Sequence, residues 1–176
     1  MAVRPPIRAY LENDTDPSAL REDTPEAWRS FMGLLAPLGR LLFSVIFITS
    51  GLNHFIQLQA LTAYAQASGV PDPKTAVLVS GGVLVVGGLC VLLGTFARLG
   101  AAMLAVFLVA SAFMVHHFWK MDDPVQAQNN LIHFMKNLSM AGGALLIVYF
   151  GPGPFSLSRK KRENALGGMK LGAPLR

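Results

Sequence analysis

The four histidines are the residues of this chain best suited to chemistry, because imidazole can donate, accept or exchange a proton near neutral pH. His133 is followed at i+3 and i+4 by Lys136 and Asn137, which places these three on one helix face. Imidazole donors and an ammonium could together hold a quinone carbonyl or a sulfur oxyanion. The candidate ligand-binding residues are His54, His116, His117, His133, Lys136 and Asn137.

Long uncharged segments must position these residues. Asp, Glu, Lys and Arg are absent from residues 41–71, 75–97, 99–119 and 137–158. A helix that crosses a bilayer needs about 20 predominantly apolar residues, so each segment can hold one span. The sequence therefore predicts an all-α, polytopic membrane protein, an antiparallel bundle of four transmembrane helices with short interfacial helices. We place the spans at about 38–55, 75–94, 99–118 and 132–150.

Polar ends flank this apolar middle. Residues 1–33 are predicted to form a cytoplasmic tail with an interfacial helix from about residue 24, and Pro37 is expected to bend the chain before the first span. Residues 34–151 would form the transmembrane domain, and residues 152–176 a basic cytoplasmic tail. The connector after the first span, residues 56–74, is expected to hold a second short interfacial helix.

The basic residues predict the orientation. Of the 15 Lys and Arg residues, all but Lys74, Lys120 and Lys136 lie in the two tails, at the start of the first span (Arg40) or in the short loop between spans 2 and 3. Cytoplasmic loops carry the excess of Lys and Arg, so both termini are expected in the cytoplasm. We therefore predict a multi-pass protein of the cell inner (cytoplasmic) membrane, with all four histidines at the outer side.

The same basic residues suggest contacts with lipid or with a partner. Arg40 and Arg98 are expected to snorkel to lipid phosphates, and the run at 159–162 could bind anionic lipid or a cytoplasmic partner. Since the basic residues flank apolar spans, the net charge of +5 does not indicate nucleic acid. The predicted lipid or partner contacts are Arg40, Arg98, Arg159, Lys160, Lys161 and Arg162.

Several kinds of chemistry are disfavoured. Cys90 is the single cysteine, so an intramolecular dithiol relay is excluded. The spans hold no mid-membrane acid, which weakens a proton or cation pump. Lys136 lies about five residues inside the last span, roughly 7 Å deep at 1.5 Å per residue, and is expected to point into the bundle or a wet cavity.

Three interpretations of the histidine layer stay open. The histidines could be interface residues that stabilise the bundle through hydrogen bonds. They could bind an anionic or redox-active head group, for which a quinone is the candidate cofactor. They could instead ligate a metal or haem, but His116 and His117 would point about 100° apart on a helix, so only one would face a shared centre. We expect no haem or metal.

The order of several short segments resembles DoxX-type membrane proteins over about residues 34–158. These segments are Ser50-Gly51-Leu52-Asn53-His54-Phe55, Gly87-Gly88 with Leu93-Gly94 and Arg98, His116-His117-Phe118-Trp119, Phe134-Met135-Lys136-Asn137-Leu138, and Gly151-Pro152-Gly153. Many members carry an acid about four positions before the Gly-Gly pair. Here Val83-Leu84-Val85 stands in that neighbourhood, so no role that needs the acid is expected.

The resemblance implies a four-helix integral membrane protein associated with redox or thiol-sulfur metabolism, since the founding members are subunits linked to thiosulfate–quinone oxidoreduction. We therefore expect a membrane subunit or partner of a quinone- or sulfur-linked electron-transfer system, acting with other membrane or redox subunits. The alternative is a non-catalytic subunit that docks within a larger membrane complex.

Overall fold

The computed structural model describes residues 26–158, with side chains from residue 31 onward. In this part of the chain all regular structure is helical. The α-helices are α1 (Glu26–Ile56), α2 (Leu58–Ala67), α3 (Pro73–Leu93), α4 (Ala97–Met114) and α5 (Pro124–Phe150), and a 3₁₀ turn covers Phe118–Lys120. The four long helices are long and apolar enough to cross a membrane, as the sequence predicts. The polar tail before residue 26 and the basic run at 159–162 lie outside the described residues.

The first helix differs from its prediction. α1 runs without a break through Pro37, where we expected a bend between an interfacial helix and the first span. Proline removes one backbone donor from a helix, but it does not end this one. The proposed separate interfacial segment and the first span are thus one helix of 31 residues. A short helix, α2, is present in the connector for which the second interfacial helix is predicted.

The ends of α4 and α5 also differ from the prediction. α4 stops at Met114 rather than near residue 118, and its last turn widens so that the amides of Val115 and His116 both donate to the Ser111 carbonyl. α5 begins at Pro124 rather than near residue 132, because the Asp123 carboxylate accepts from the Val125 amide at 2.8 Å and caps the helix. The early end of α4 places His116 and His117 in an irregular connection.

The helices pack in chain order as antiparallel neighbours, α1 on α3, α3 on α4 and α4 on α5. Small residues allow this approach, as expected where lipid provides no hydrophobic drive for association. A Cβ on Gly100 of α4 would lie 2.8 Å from the carbonyl oxygen of Gly87 and 2.7 Å from the Cβ of Cys90, both on α3. These two helices therefore touch through their backbones at this point.

The buried core lies between the four long helices, while their outward faces carry exposed apolar side chains suited to lipid. Phe43 of α1 extends the core to α5, where its ring covers Gly143. The core consists of Phe47, Leu84, Val91, Ala101, Leu104, Ala105, Leu108, Ala141 and Ala144.

At the end of the bundle nearest the termini, Arg40 lies inside the protein. Its side chain is 6% exposed, and Nη2 donates to the carbonyls of Phe155 at 3.1 Å and Pro154 at 3.3 Å. The lipid contact predicted for Arg40 is therefore wrong: the guanidinium holds the chain that leaves α5. Arg98 is exposed and donates to the Tyr149 carbonyl at 3.4 Å, near the end of α5.

Candidate ligand-binding site

A cavity of about 560 Å³ lies at the opposite end of the bundle, where α1 and α4 end and α3 begins. We call this end the histidine end and the space the histidine-end cavity. Its walls come from α1, α2, α3, α4 and the residues after α4, and most of them are apolar. The polar side chains among them are His54, Tyr64, Ser80, Ser111 and His116.

His54 reaches the cavity from the last turn of α1. Its Nδ1 lies 2.7 Å from the Ser50 carbonyl, and a carbonyl only accepts, so Nδ1 carries the proton. In the neutral ring Nε2 is then an acceptor. Gly81 of α3 lets the two helices meet here, because a Cβ at that position would lie 2.9 Å from the Cβ of His54. The backbone contact fixes where this imidazole stands.

His116 reaches the cavity from the connection after α4. Its Nδ1 lies 3.2 Å from Oδ1 of Asn130. The Asn130 amide nitrogen donates to the Gln126 carbonyl at 3.1 Å, so the amide oxygen faces the ring and Nδ1 is the donor. Both cavity imidazoles therefore use Nδ1 on the protein, and their Nε2 atoms are acceptors in the neutral form.

Hydroxyl groups add donors to the same cavity. Burial raises the pKa of the Tyr64 phenol, so it stays protonated at neutral pH and can donate. Asn137 is 6% exposed, and its amide nitrogen donates to Ser111 Oγ at 3.4 Å. This leaves the Ser111 hydroxyl proton available as a donor. Asn137 is a predicted binding residue that does not line the cavity, but it orients Ser111, which does.

The other predicted residues lie outside the cavity. His133 and Lys136 are exposed on the outward face of α5, with Lys136 Nζ 3.1 Å from His133 Nδ1. The expectation that Lys136 points into the bundle or a wet cavity is therefore wrong. The ring of His133 stacks on that of His116, with centroids 5.1 Å apart, so it backs a cavity residue from the outside.

His117 is also separate from the cavity, and its ring nitrogen Nδ1 lies 3.2 Å from the Met114 carbonyl. The sequence analysis separates the rings of His116 and His117 by their positions around a helix, but α4 ends before either residue. The irregular connection separates the two rings instead. Trp119 anchors this connection by packing edge-on against Phe134, with centroids 5.9 Å apart.

Three polar cavity residues were absent from the predicted site. Tyr64 lies in the connector for which the sequence predicts an interfacial helix, and Ser80 and Ser111 lie within the second and third predicted spans. The available signal was weak: Ser111 is one hydroxyl within the apolar span 99–119. Within the described residues, no three His, Cys, Asp or Glu side chains come together in a way that could hold a metal ion.

Comparisons with known proteins find one family model and related inner membrane proteins. The sequence model of the DoxX family matches residues 35–117. Inner membrane protein YphA of Escherichia coli (strain K12) is 30% identical over 127 residues, 72% of this chain and 90% of its own. Inner membrane protein YqjF of the same organism is 34% identical over 125 residues, 69% of this chain and 88% of its own. No solved structure matches. With its four membrane-spanning helices and this similarity over most of the length of both relatives, the chain belongs to the DoxX family of integral membrane proteins.

Proposed function

We propose that this protein is a membrane subunit or partner of a quinone- or sulfur-linked electron-transfer system and binds a redox-active head group in the histidine-end cavity. The observation that carries the proposal is the cavity itself, which combines apolar walls with two imidazoles from separate elements. Ligand sites are typically concave and mostly apolar, with a few convergent polar groups. The family membership supports a membrane setting, and both relatives are inner membrane proteins.

The polar groups suit both redox states of a quinone. A hydroquinone hydroxyl would donate to a neutral Nε2 of His54 or His116, and a quinone carbonyl would accept from Tyr64 or Ser111. Oxidation of the hydroquinone releases two protons and two electrons. The Nε2 atoms of the two imidazoles would accept the protons, and a redox partner protein would accept the electrons.

The orientation of the cavity is part of the proposal. The positive-inside rule supports cytoplasmic termini, and the histidine end lies opposite the described residues nearest the termini. The cavity would then open in the outer leaflet of the inner membrane.

Binding of a benzoquinone to the purified protein in nanodiscs tests this function. We expect His54→Ala and His116→Ala each to weaken binding about tenfold, since each removes a hydrogen-bonding group from the cavity and tenfold corresponds to about 1.4 kcal/mol. His117→Ala is the matched control, because His117 does not line the cavity, and should bind as the wild type does. Unchanged affinity in both cavity variants would contradict the proposal.

The second candidate is a docking subunit without catalytic activity, and the exposed Lys136 favours it. Its ammonium lies on the outward face of α5, and the four spans contain no Asp or Glu. An ammonium group inside a membrane span needs a partner of opposite charge. The spans of a second copy of this chain offer no carboxylate, whereas a membrane helix of another protein that carries an acid would offer one.

Co-purification separates the two candidates. Lys136→Met should release a docked partner while quinone binding is unchanged. A truncation that removes residues 160–176 tests the basic tail without disturbing the loop near Gly94, because Ser158 Oγ donates to the Gly94 carbonyl at 2.8 Å. An unchanged set of co-purified proteins in both variants argues against docking.

A further inference from the structure

A second cavity of about 500 Å³ lies between α3 and α4 and carries no titratable side chain. Val79 of α3 and Val106 of α4 stand on its walls and are 60% and 71% exposed. Because these helices cross the membrane, the exposed valines face lipid. The cavity is therefore a groove open to the bilayer, and we call it the α3–α4 groove.

The groove adjoins the histidine-end cavity. Ala76, Ser80 and Phe107 line both spaces. The Ser80 hydroxyl donates to the Val77 carbonyl at 3.0 Å, so its proton is already used at the junction. The Ser80 side chain therefore presents no unpaired donor where the cavity and the groove meet.

The groove extends from the histidine end toward the middle of the membrane. On α4, residues that line one or both spaces run from Ala102 to Met114, a length of about 18 Å at 1.5 Å per residue. Half of the hydrocarbon core is about 15 Å. On α3, the groove face repeats at i, i+3, i+4 and i+7 from Ala76 to Val83, so one stripe follows the helix inward.

We propose that the ligand of the histidine-end cavity is an amphiphilic quinone whose hydrocarbon tail lies in the α3–α4 groove and which enters sideways from the bilayer. This inference rests on the proposed function for the identity of the head group. The polar groups line the histidine-end cavity and, apart from Ser80, apolar side chains line the adjoining groove, which matches a molecule with a polar head and an apolar tail. The tail would lie parallel to the lipid chains.

Filling the groove tests the tail site. Ala102→Phe and Val83→Phe add bulk at residues that line the groove and not the histidine-end cavity. Val86→Phe is the matched control, because Val86 is 53% exposed on α3 and lines neither space. The probes are a dimethoxy-methyl-benzoquinone without a tail and the same head with a decyl tail, each titrated into protein in nanodiscs.

We expect the groove variants to bind the tail-less quinone as the wild type does and to lose about tenfold in affinity for the tailed one. Val86→Phe should keep both affinities. A tail also increases partitioning into the bilayer in every sample, so the comparison among variants measures the groove. Binding of the tail-less quinone also shows that each variant is folded.

Two results would overturn the inference in distinguishable ways. If the tail-less quinone binds and the tailed one binds the groove variants as tightly as the control, the tail does not use the groove, and the head-group site stands. If neither quinone binds the wild type, the proposed function fails, and the ligand assigned to the groove fails with it.

Discussion

The four histidines of this protein fall into two groups because their neighbours differ, although all four lie near one end of the bundle. His54 and His116 line the cavity and each uses Nδ1 on a protein carbonyl or amide oxygen. His133 stacks on His116 from outside, and His117 turns to the Met114 carbonyl. The residue types alone predicted one layer, and the hydrogen bonds divide it into cavity and surface.

Asn130 tests the argument about the ring of His116. Asn130→Ala removes the acceptor of Nδ1, so the ring can rotate and Nε2 is no longer held toward one position. A hydrogen bond contributes about 1 kcal/mol, so we expect quinone affinity to fall about fivefold. Asn129→Ala, on the adjacent exposed residue, is the control. An Asn130 variant that binds as the Asn129 variant does would show that this bond has no part in binding.

The sequence could identify His54 and His116 by type, but not which histidines would line the cavity. For His116 the partner that orients the ring comes from another element. Asn130 is on α5, fourteen residues beyond His116, and no local pattern links the two. The sequence also does not predict on which face of α5 Lys136 lies. The rule that a membrane charge turns inward failed because Lys136 reaches His133 on the outward face.

At the scale of the elements, the existence of the four spans was predictable, but the ends of some of the helices were not. Apolar length identifies four membrane helices from sequence alone. The start of α5 had a signal in Asp123-Pro124, a capping residue before a proline, which the apolar count overlooked. The end of α4 had none, because no glycine or proline stands at residues 114–118, where the last turn widens.

The contact between α3 and α4 gives a prediction for an element. Gly100→Ala would place a Cβ 2.8 Å from the Gly87 carbonyl oxygen, so the two helices must separate. We expect a clearly lower unfolding temperature in detergent, of several degrees. Gly142→Ala is the matched control, because a Cβ there meets nothing within 4 Å. Equal unfolding temperatures in the two variants would contradict the close packing.

At the scale of the whole molecule, the proposed orientation rests on the distribution of the basic residues and can be tested directly. In a Cys90→Ser background, Asp122→Cys at the histidine end and Phe96→Cys in the α3–α4 loop are both exposed positions. We expect a membrane-impermeant maleimide added to intact cells to label Asp122→Cys and to leave Phe96→Cys unlabelled until the cells are lysed. The reverse pattern would turn the cavity to the cytoplasmic side.

The central claim is that the histidine-end cavity binds a quinone head group, and photolabelling tests it most directly. An azidoquinone is irradiated with the wild-type protein in nanodiscs, and the modified peptides are mapped by mass spectrometry. The account predicts label in the peptides that contain His54 to Tyr64 and Phe107 to His116, and competition by unmodified quinone. Label confined to the outward face of α5, or label that unmodified quinone does not displace, would contradict it.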